Sequence, residues 1–259
     1  MSIRRSVTLV AIAATLSVAL LLAFVGHVTQ ARSEARITQE ILAGTRLLWG
    51  QVTERIFAAM ELGAAEIEKD FYLKQALKSQ DAAALTQAME TLLKLLGDQG
   101  HFDRLYVFDV DGERRCCGDG SGQAPADMRA LMLASRRDGA RHSGIGRGDA
   151  GEPVALLALT LSTRHQPVGA LVLESSLAPA LARLKAIDGA DAYLIGADGR
   201  ALAGTDTALI SGLRVSWPAV DEAGRETRRF GERAFEVTTL PIPGLGDAPI
   251  AHLARVMDQ

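Results

Sequence analysis

Aromatic residues are scarce, at 5% of the chain, and the formal charge is only -3. Both features argue against a nucleic-acid surface, which combines a basic patch with stacking rings. The sequence has no G-x-S-x-G elbow, no H-E-x-x-H pair, no Walker loop and no dinucleotide fingerprint, so the hydrolase, zincin, nucleotide and dehydrogenase templates are not met and an enzyme is not expected. No cofactor is implied. Cysteine is limited to the adjacent pair Cys116 and Cys117. A bond between neighbours closes a strained ring, so two reduced thiols on opposite sides of a strand are expected. Neither His101 nor His142 has a spacing that defines a metal site with them.

After Val28 there is no further apolar run of spanning length, but one precedes it. Val7 to Val28 contains no Asp, Glu, Lys or Arg, and about 20 such residues cross a hydrocarbon core of about 30 Å. Arg4 and Arg5 precede the run, which puts residues 1–6 in the cytoplasm and the bulk outside a bacterial inner membrane. The run is long for a cleaved signal peptide, and Thr29-Gln30-Ala31 is a poor cleavage site. The expectation is a single-pass anchor, residues 7–28, with an extracytoplasmic or periplasmic domain.

Beyond the anchor, Ile37, Ile41, Leu48, Val52, Ile56, Met60, Ile67 and Phe71 recur at helical spacing. Such a stripe serves a homodimer seam or the docking of a domain on its own stalk. A second helix follows a break near Lys78 to Gln80, with Asp81 as N-cap and Leu85, Met89, Leu92, Leu93 and Leu96 on its apolar face. These helices occupy residues 29–100.

Strand patterns then take over. Leu105 to Val110 reads as a strand that turns at Asp111-Gly112 and returns over Glu113 to Cys117. A helix over Pro125 to Arg136 and a Gly-rich bend over Ser143 to Gly151 lead to two very apolar strands, Val154 to Ser162 and Val168 to Ser175. After a short helix, Ala178 to Ile187, a second set begins at Ala192 to Ala197, turns at Asp198-Gly199, and continues through Phe230 to Leu240, a Pro/Gly loop over Pro241 to Gly246, and Pro249 to Val256. "YVFDVDGERR" from Tyr106 and "YLIGADGRAL" from Tyr193 repeat one another as Tyr, apolar strand, Asp-Gly and a basic residue. Two related α+β modules follow, residues 101–188 and a smaller one, 189–259. Asp111 and Asp198 are turn formers at such positions.

With "RLYVFDVDGER" from Arg104, "HSGIGRGDAGEPVALLALTL" from His142, "PVGALVLESSL" from Pro167 and "DAYLIGADGRAL" from Asp191, the chain resembles the double Cache domain. That domain is a tandem of PAS-like folds in bacterial chemoreceptors, sensor histidine kinases and diguanylate cyclases. The resemblance covers roughly 30–259. It implies an antiparallel sheet in each module, a membrane-distal module that holds the ligand, and a role in signal transduction. The second membrane helix and cytoplasmic output domain usual in that family do not follow here, so a truncated receptor or a separate signalling partner is expected. The aromatic-Arg-Asp signature of amino-acid-binding members is not evident.

By position in that fold, the ligand candidates are Tyr106, Phe108, Arg115, Cys117, Arg141, His142, Ser143, Arg147 and Thr160. Arg136, Arg137, Arg141 and Arg147 surround the Gly-rich stretch, and guanidinium groups read carboxylate or phosphate, so a small anion such as a carboxylate is the expected ligand. An envelope scaffold that docks other proteins is the alternative with the same topology.

Overall fold

The computed structural model describes residues 3–116, 124–164, 166–206, 208–209, 223–246 and 248–258, excepting the side chains of 3–19, 31, 116 and 230. The chain divides into two compact units, 1–45 and 46–259. Helix α1 (Ile3–Ile67) runs through Gly44, Gly50 and Gly63 without a break. Among the described residues, no helix is long and apolar enough to cross a membrane. The expected anchor falls largely on 7–19, whose side chains lie outside the described ones; in its remainder Leu20, Leu21, Leu22, Phe24 and Val25 are all exposed.

In the larger unit, Val52, Met60 and Ile67 are buried, as the helical stripe requires, but Phe71 leaves it. The helix stops at Ile67, and Phe71 opens a new helix with its ring 68% exposed. Asp70 makes that start by accepting the Leu73 amide at 2.7 Å. Helix α2 (Phe71–Ser79) ends at Gln80, which takes a left-handed φ of 55°. Asp81 then caps α3 (Ala82–Leu92) by accepting the Ala83 and Ala84 amides, each at 3.0 Å. A π-helical turn, Leu93–Gly97, ends the helical part.

Two five-stranded antiparallel sheets follow. The first contains β1 (Arg104–Phe108), β2 (Arg114–Cys116), β3 (His142–Arg147), β4 (Pro153–Thr163) and β5 (Gln166–Ser176), in the order β2-β1-β5-β4-β3. The second contains β6 (Asp191–Gly196), β7 (Ala201–Gly204), β8 (Gly224–Phe230), β9 (Arg233–Pro243) and β10 (Pro249–Asp258), in the order β7-β6-β10-β9-β8. Each apolar hairpin strand is central, because both its faces are covered. Helix α4 (Ala126–Asp138) lies on the first sheet, and α5 (Ala178–Asp188) leads to the second.

The repeat is visible bond by bond. In the first hairpin the Asp109 amide donates to the Glu113 carbonyl and the Gly112 amide to the Asp109 carbonyl; in the second, Gly196 donates to Arg200 and Gly199 to Gly196. Gly112 and Gly199 take φ of 84° and 78°, the left-handed turn geometry that glycine adopts without a Cβ penalty.

Three expectations change. The Gly-rich stretch from Ser143 forms β3, because its glycines leave room for a neighbouring side chain: a Cβ on Gly144 would stand 2.2 Å from Leu245 Cδ2. The stretch after Gly224 is a hairpin, β8–β9, so the second sheet has as many strands as the first. The turn side chain in the first hairpin is Asp109 rather than Asp111: its Oδ1 accepts both the Asp111 and Glu113 amides at 2.9 Å. The stretch between β7 and β8 lies mostly outside the described residues.

Candidate functional site

Strand register sorts the first sheet into two faces. Leu105, Val107, Leu157, Leu159, Leu171 and Leu173 lie on one, toward the helical layer, where α2 packs on β4 and β5. Arg104, Tyr106, Phe108, Val154, Leu156, Ala158, Thr160, Ala170, Val172 and Glu174 share the other, which α4 covers with Met128, Leu131 and Met132. The covered face is apolar at the α4 end and charged at the other. Burying a charge is costly unless it is paired, so the charged end is the part with chemistry to explain.

Glu174 is its centre, with a side chain 4% exposed. Tyr106 donates its hydroxyl to Oε2 at 3.1 Å, and Arg104 Nη1 lies 3.4 Å from Oε1. Burial pushes the Glu174 carboxyl above the usual carboxylate range, against the hydrogen bond from Tyr106 and the charge of Arg104. Burial likewise pushes the Tyr106 phenol up. Arg114 closes the cluster from β2. Its guanidinium stands 4.7 Å from the Tyr106 ring centroid, and Nη2 donates to both Asp149 oxygens at 2.7 and 2.9 Å. The Arg114 side chain is 9% exposed, and its Nε has no acceptor among the described residues.

The candidate residues fall into separate groups. Tyr106 belongs to this cluster, and Phe108 is core beneath α4. Arg115 pairs with Asp109 at 2.5 Å. Burial of Asp109 acts to raise its pKa, but the Glu113 and Asp111 amides and Arg115 prevail and hold it below the usual range. Arg141 is held by Glu61 at 2.7 Å and Glu68 at 2.6 Å, so its charge is already met. His142 faces Asp138 at 2.9 Å, and Thr160 meets Ser135 at 3.1 Å beside α4. Ser143 and Arg147 are exposed; the Arg147 amide donates to Asp127, and its guanidinium makes no ion pair among the described residues. Cys117 lies outside the described residues. Among the described residues, no group of three or more His, Cys, Asp or Glu is placed to hold a metal ion.

Sequence reading passed over Arg114, Asp149 and Glu174. Glu174 carried a signal: in "GALVLESS" it is a charge at the same strand parity as Ala170 and Val172, inside an otherwise apolar strand. Arg114 differed from Arg115 only by hairpin register, which a bulge between Val107 and Phe108 sets.

No protein-family model and no curated protein matches the sequence. Solved structures do match in fold. The periplasmic domain of Vibrio cholerae LuxQ aligns with a TM-score of 0.56 at 16% identity, over 84% of this chain and 100% of that one. The sensor domain of the V. cholerae histidine kinase DctB aligns with a TM-score of 0.53 at 13% identity, over 85% of this chain and 98% of that one. The fold is that of the double Cache sensor domains.

Proposed function

We propose that the chain is the extracytoplasmic input part of a signal-transduction receptor and that it senses a small anion, such as a carboxylate, on the charged face of its first sheet. Arg114 carries this reading: a guanidinium nine-tenths buried, seated on the Tyr106 ring, with Nε–H unmet among the described residues. A buried donor without an acceptor is costly, and a carboxylate is the acceptor that a guanidinium edge fits best. Arg115 and Arg141 are already paired with their own carboxylates and are not part of this site. Ligand binding then shifts the population between two arrangements of the module.

The apolar run 7–28 is the anchor in this reading, with residues 1–6 cytoplasmic, the sheets outside, the first of them membrane-distal, and the stalk serving a homodimer or a separate signalling partner. The exposed Leu20, Leu21, Leu22, Phe24 and Val25 suit contact with lipid. Reporter fusions after Arg5 and after Gln259 test the topology, and activity of an extracytoplasmic reporter at Arg5 would reject it.

The ligand is tested by thermal shift of the full chain in detergent against carboxylates and phosphate. A ligand at 100 times its dissociation constant adds about 2.7 kcal/mol, several degrees for a domain of this size. Arg114→Lys, which keeps the charge but loses the planar fork, is expected to abolish the shift. An unchanged shift in that variant would reject the site. No shift with any anion would favour protein docking instead, for which Phe71 and Tyr72, exposed at 68% and 76%, are the surface to probe.

A further inference from the structure

Glu174 also lines a cavity of about 380 Å³ formed by residues of both modules. Asp103, Arg104, Glu152 and Glu174 line it from the first module, and Leu194 and Leu202 from the second. Its volume is that of a small-molecule site. The charge in its wall does not balance. Three carboxylates face one guanidinium, that of Arg104, which is itself 56% exposed. Asp103 gives Oδ2 to the Ser176 amide at 2.6 Å. Glu152 Oε2 is buried with no donor among the described residues.

The two inner carboxylates crowd the same space. A Cβ on Gly148 would stand 3.1 Å from Glu174 Oε2 and 3.2 Å from Glu152 Oε1, so a glycine is what leaves them room. Like charges this close in a partly dry site repel, and a proton on one of them or a cation between them relieves it. The described residues do not supply a metal-holding group here. The opposite wall is aliphatic, formed by Leu177, Leu194 and Leu202. A ligand that answers both walls has N–H donors and a positive charge at one end and an alkyl body at the other.

We infer that this inter-module cavity binds a small aliphatic ammonium compound, its charged end against Glu152 and Glu174 and its alkyl part between Leu194 and Leu202. The cavity shares Glu174 with the cluster around Arg114 but takes a ligand of opposite charge, so amine and anion probes test the two inferences independently. A ligand here would touch both sheets, which gives it a direct hold on how the modules are joined.

The test is calorimetric titration of the full chain in detergent with pentylamine, with pentanol as the neutral match. Saturable binding of the amine but not the alcohol is expected. Glu152→Gln, a conservative change at a partly exposed residue, should weaken the amine about tenfold or more, the range for losing one charged hydrogen-bond partner. Gly148→Ala should weaken it too, by filling the space between the carboxylates. Equal binding of amine and alcohol, no amine binding by a chain that still melts cooperatively, or undiminished binding in Glu152→Gln would each overturn the assignment.

Discussion

The two sheets of this protein share a strand order and the same pair of hairpin hydrogen bonds, yet they treat one position oppositely. Tyr106 and Tyr193 are equivalent, each with its ring buried on a central strand. Two residues before each, the register pairs Arg104 with Glu174 in the first sheet and Asp191 with Val256 in the second. Thus the Tyr106 hydroxyl donates to a buried carboxylate, while the Tyr193 hydroxyl has no partner among the described residues. Asp191 turns instead to Lys185 and Thr205, each at 2.6 Å. One scaffold therefore supports a charged interior face and an apolar one, and a single cross-strand position separates them. Charge buried in the first sheet weakens it as a structural element, which is a reason to look for ligands there rather than in the second.

This contrast can be broken at several places. The largest effect is expected from Gly204→Ala in the second sheet, where the new Cβ would stand 2.2 Å from Cδ1 of the rigid Tyr193 ring. A loss of about 3 kcal/mol in chemical denaturation is expected from such overpacking. Gly144→Ala meets an equally short contact, but with the flexible tip of Leu245, so it should cost clearly less.

Next is Tyr106→Phe, which leaves Glu174 without its phenol donor and should cost about 2 kcal/mol. The double variant Tyr106→Phe with Glu174→Val copies the apolar character of the second sheet and should recover most of that loss, since removing both partners costs less than orphaning one. Failure to recover would mean that Arg104 and Arg114 depend on Glu174 more than the Tyr106 bond does. Leu245→Ala should cost about 1 kcal/mol, because Leu245 is only partly buried on the first core. Since Leu245 comes from the β9–β10 loop of the second sheet, the variant is also expected to separate the melting of the two modules.

The pH dependence follows from Glu174. Its pKa is raised on folding, so the native state binds its proton more tightly than the unfolded chain. Stability contributed at low pH is then lost as pH rises through and above the usual carboxylate range. Glu174→Gln should flatten the stability profile in that window, and an unchanged slope would remove Glu174 as its source. The smallest effect is expected from Tyr193→Phe, within about 0.5 kcal/mol, because no described bond is lost. A loss as large as that of Tyr106→Phe would erase the distinction between the two tyrosines.

The repeat around the two Asp-Gly turns, the central placing of the apolar strands and the Asp81 cap of the third helix were legible, because each depends on nearest-neighbour chemistry: glycine at positive φ, Asp at an N-cap, apolar runs buried on both faces. The strand at His142–Arg147 was not legible as one. Its glycines look like a loop until Leu245, about a hundred residues later, occupies the room they leave.

Sequence alone determined the class of the molecule: an apolar run ahead of helices at helical spacing, then two repeats of an antiparallel unit, with no pattern for catalysis. These are local or periodic properties, and the chain carries them wherever it folds. Tertiary structure decided which charges matter. Arg141 was met by Glu61 of α1 and Glu68 just past its end, Arg115 by Asp109, and Arg114 was drawn inward over Tyr106. Glu174 reaches Arg104 and Tyr106 across about seventy residues of sequence. Pairings of that range depend on strand register and on which element covers which face, and neither is fixed by the residues next to the charge.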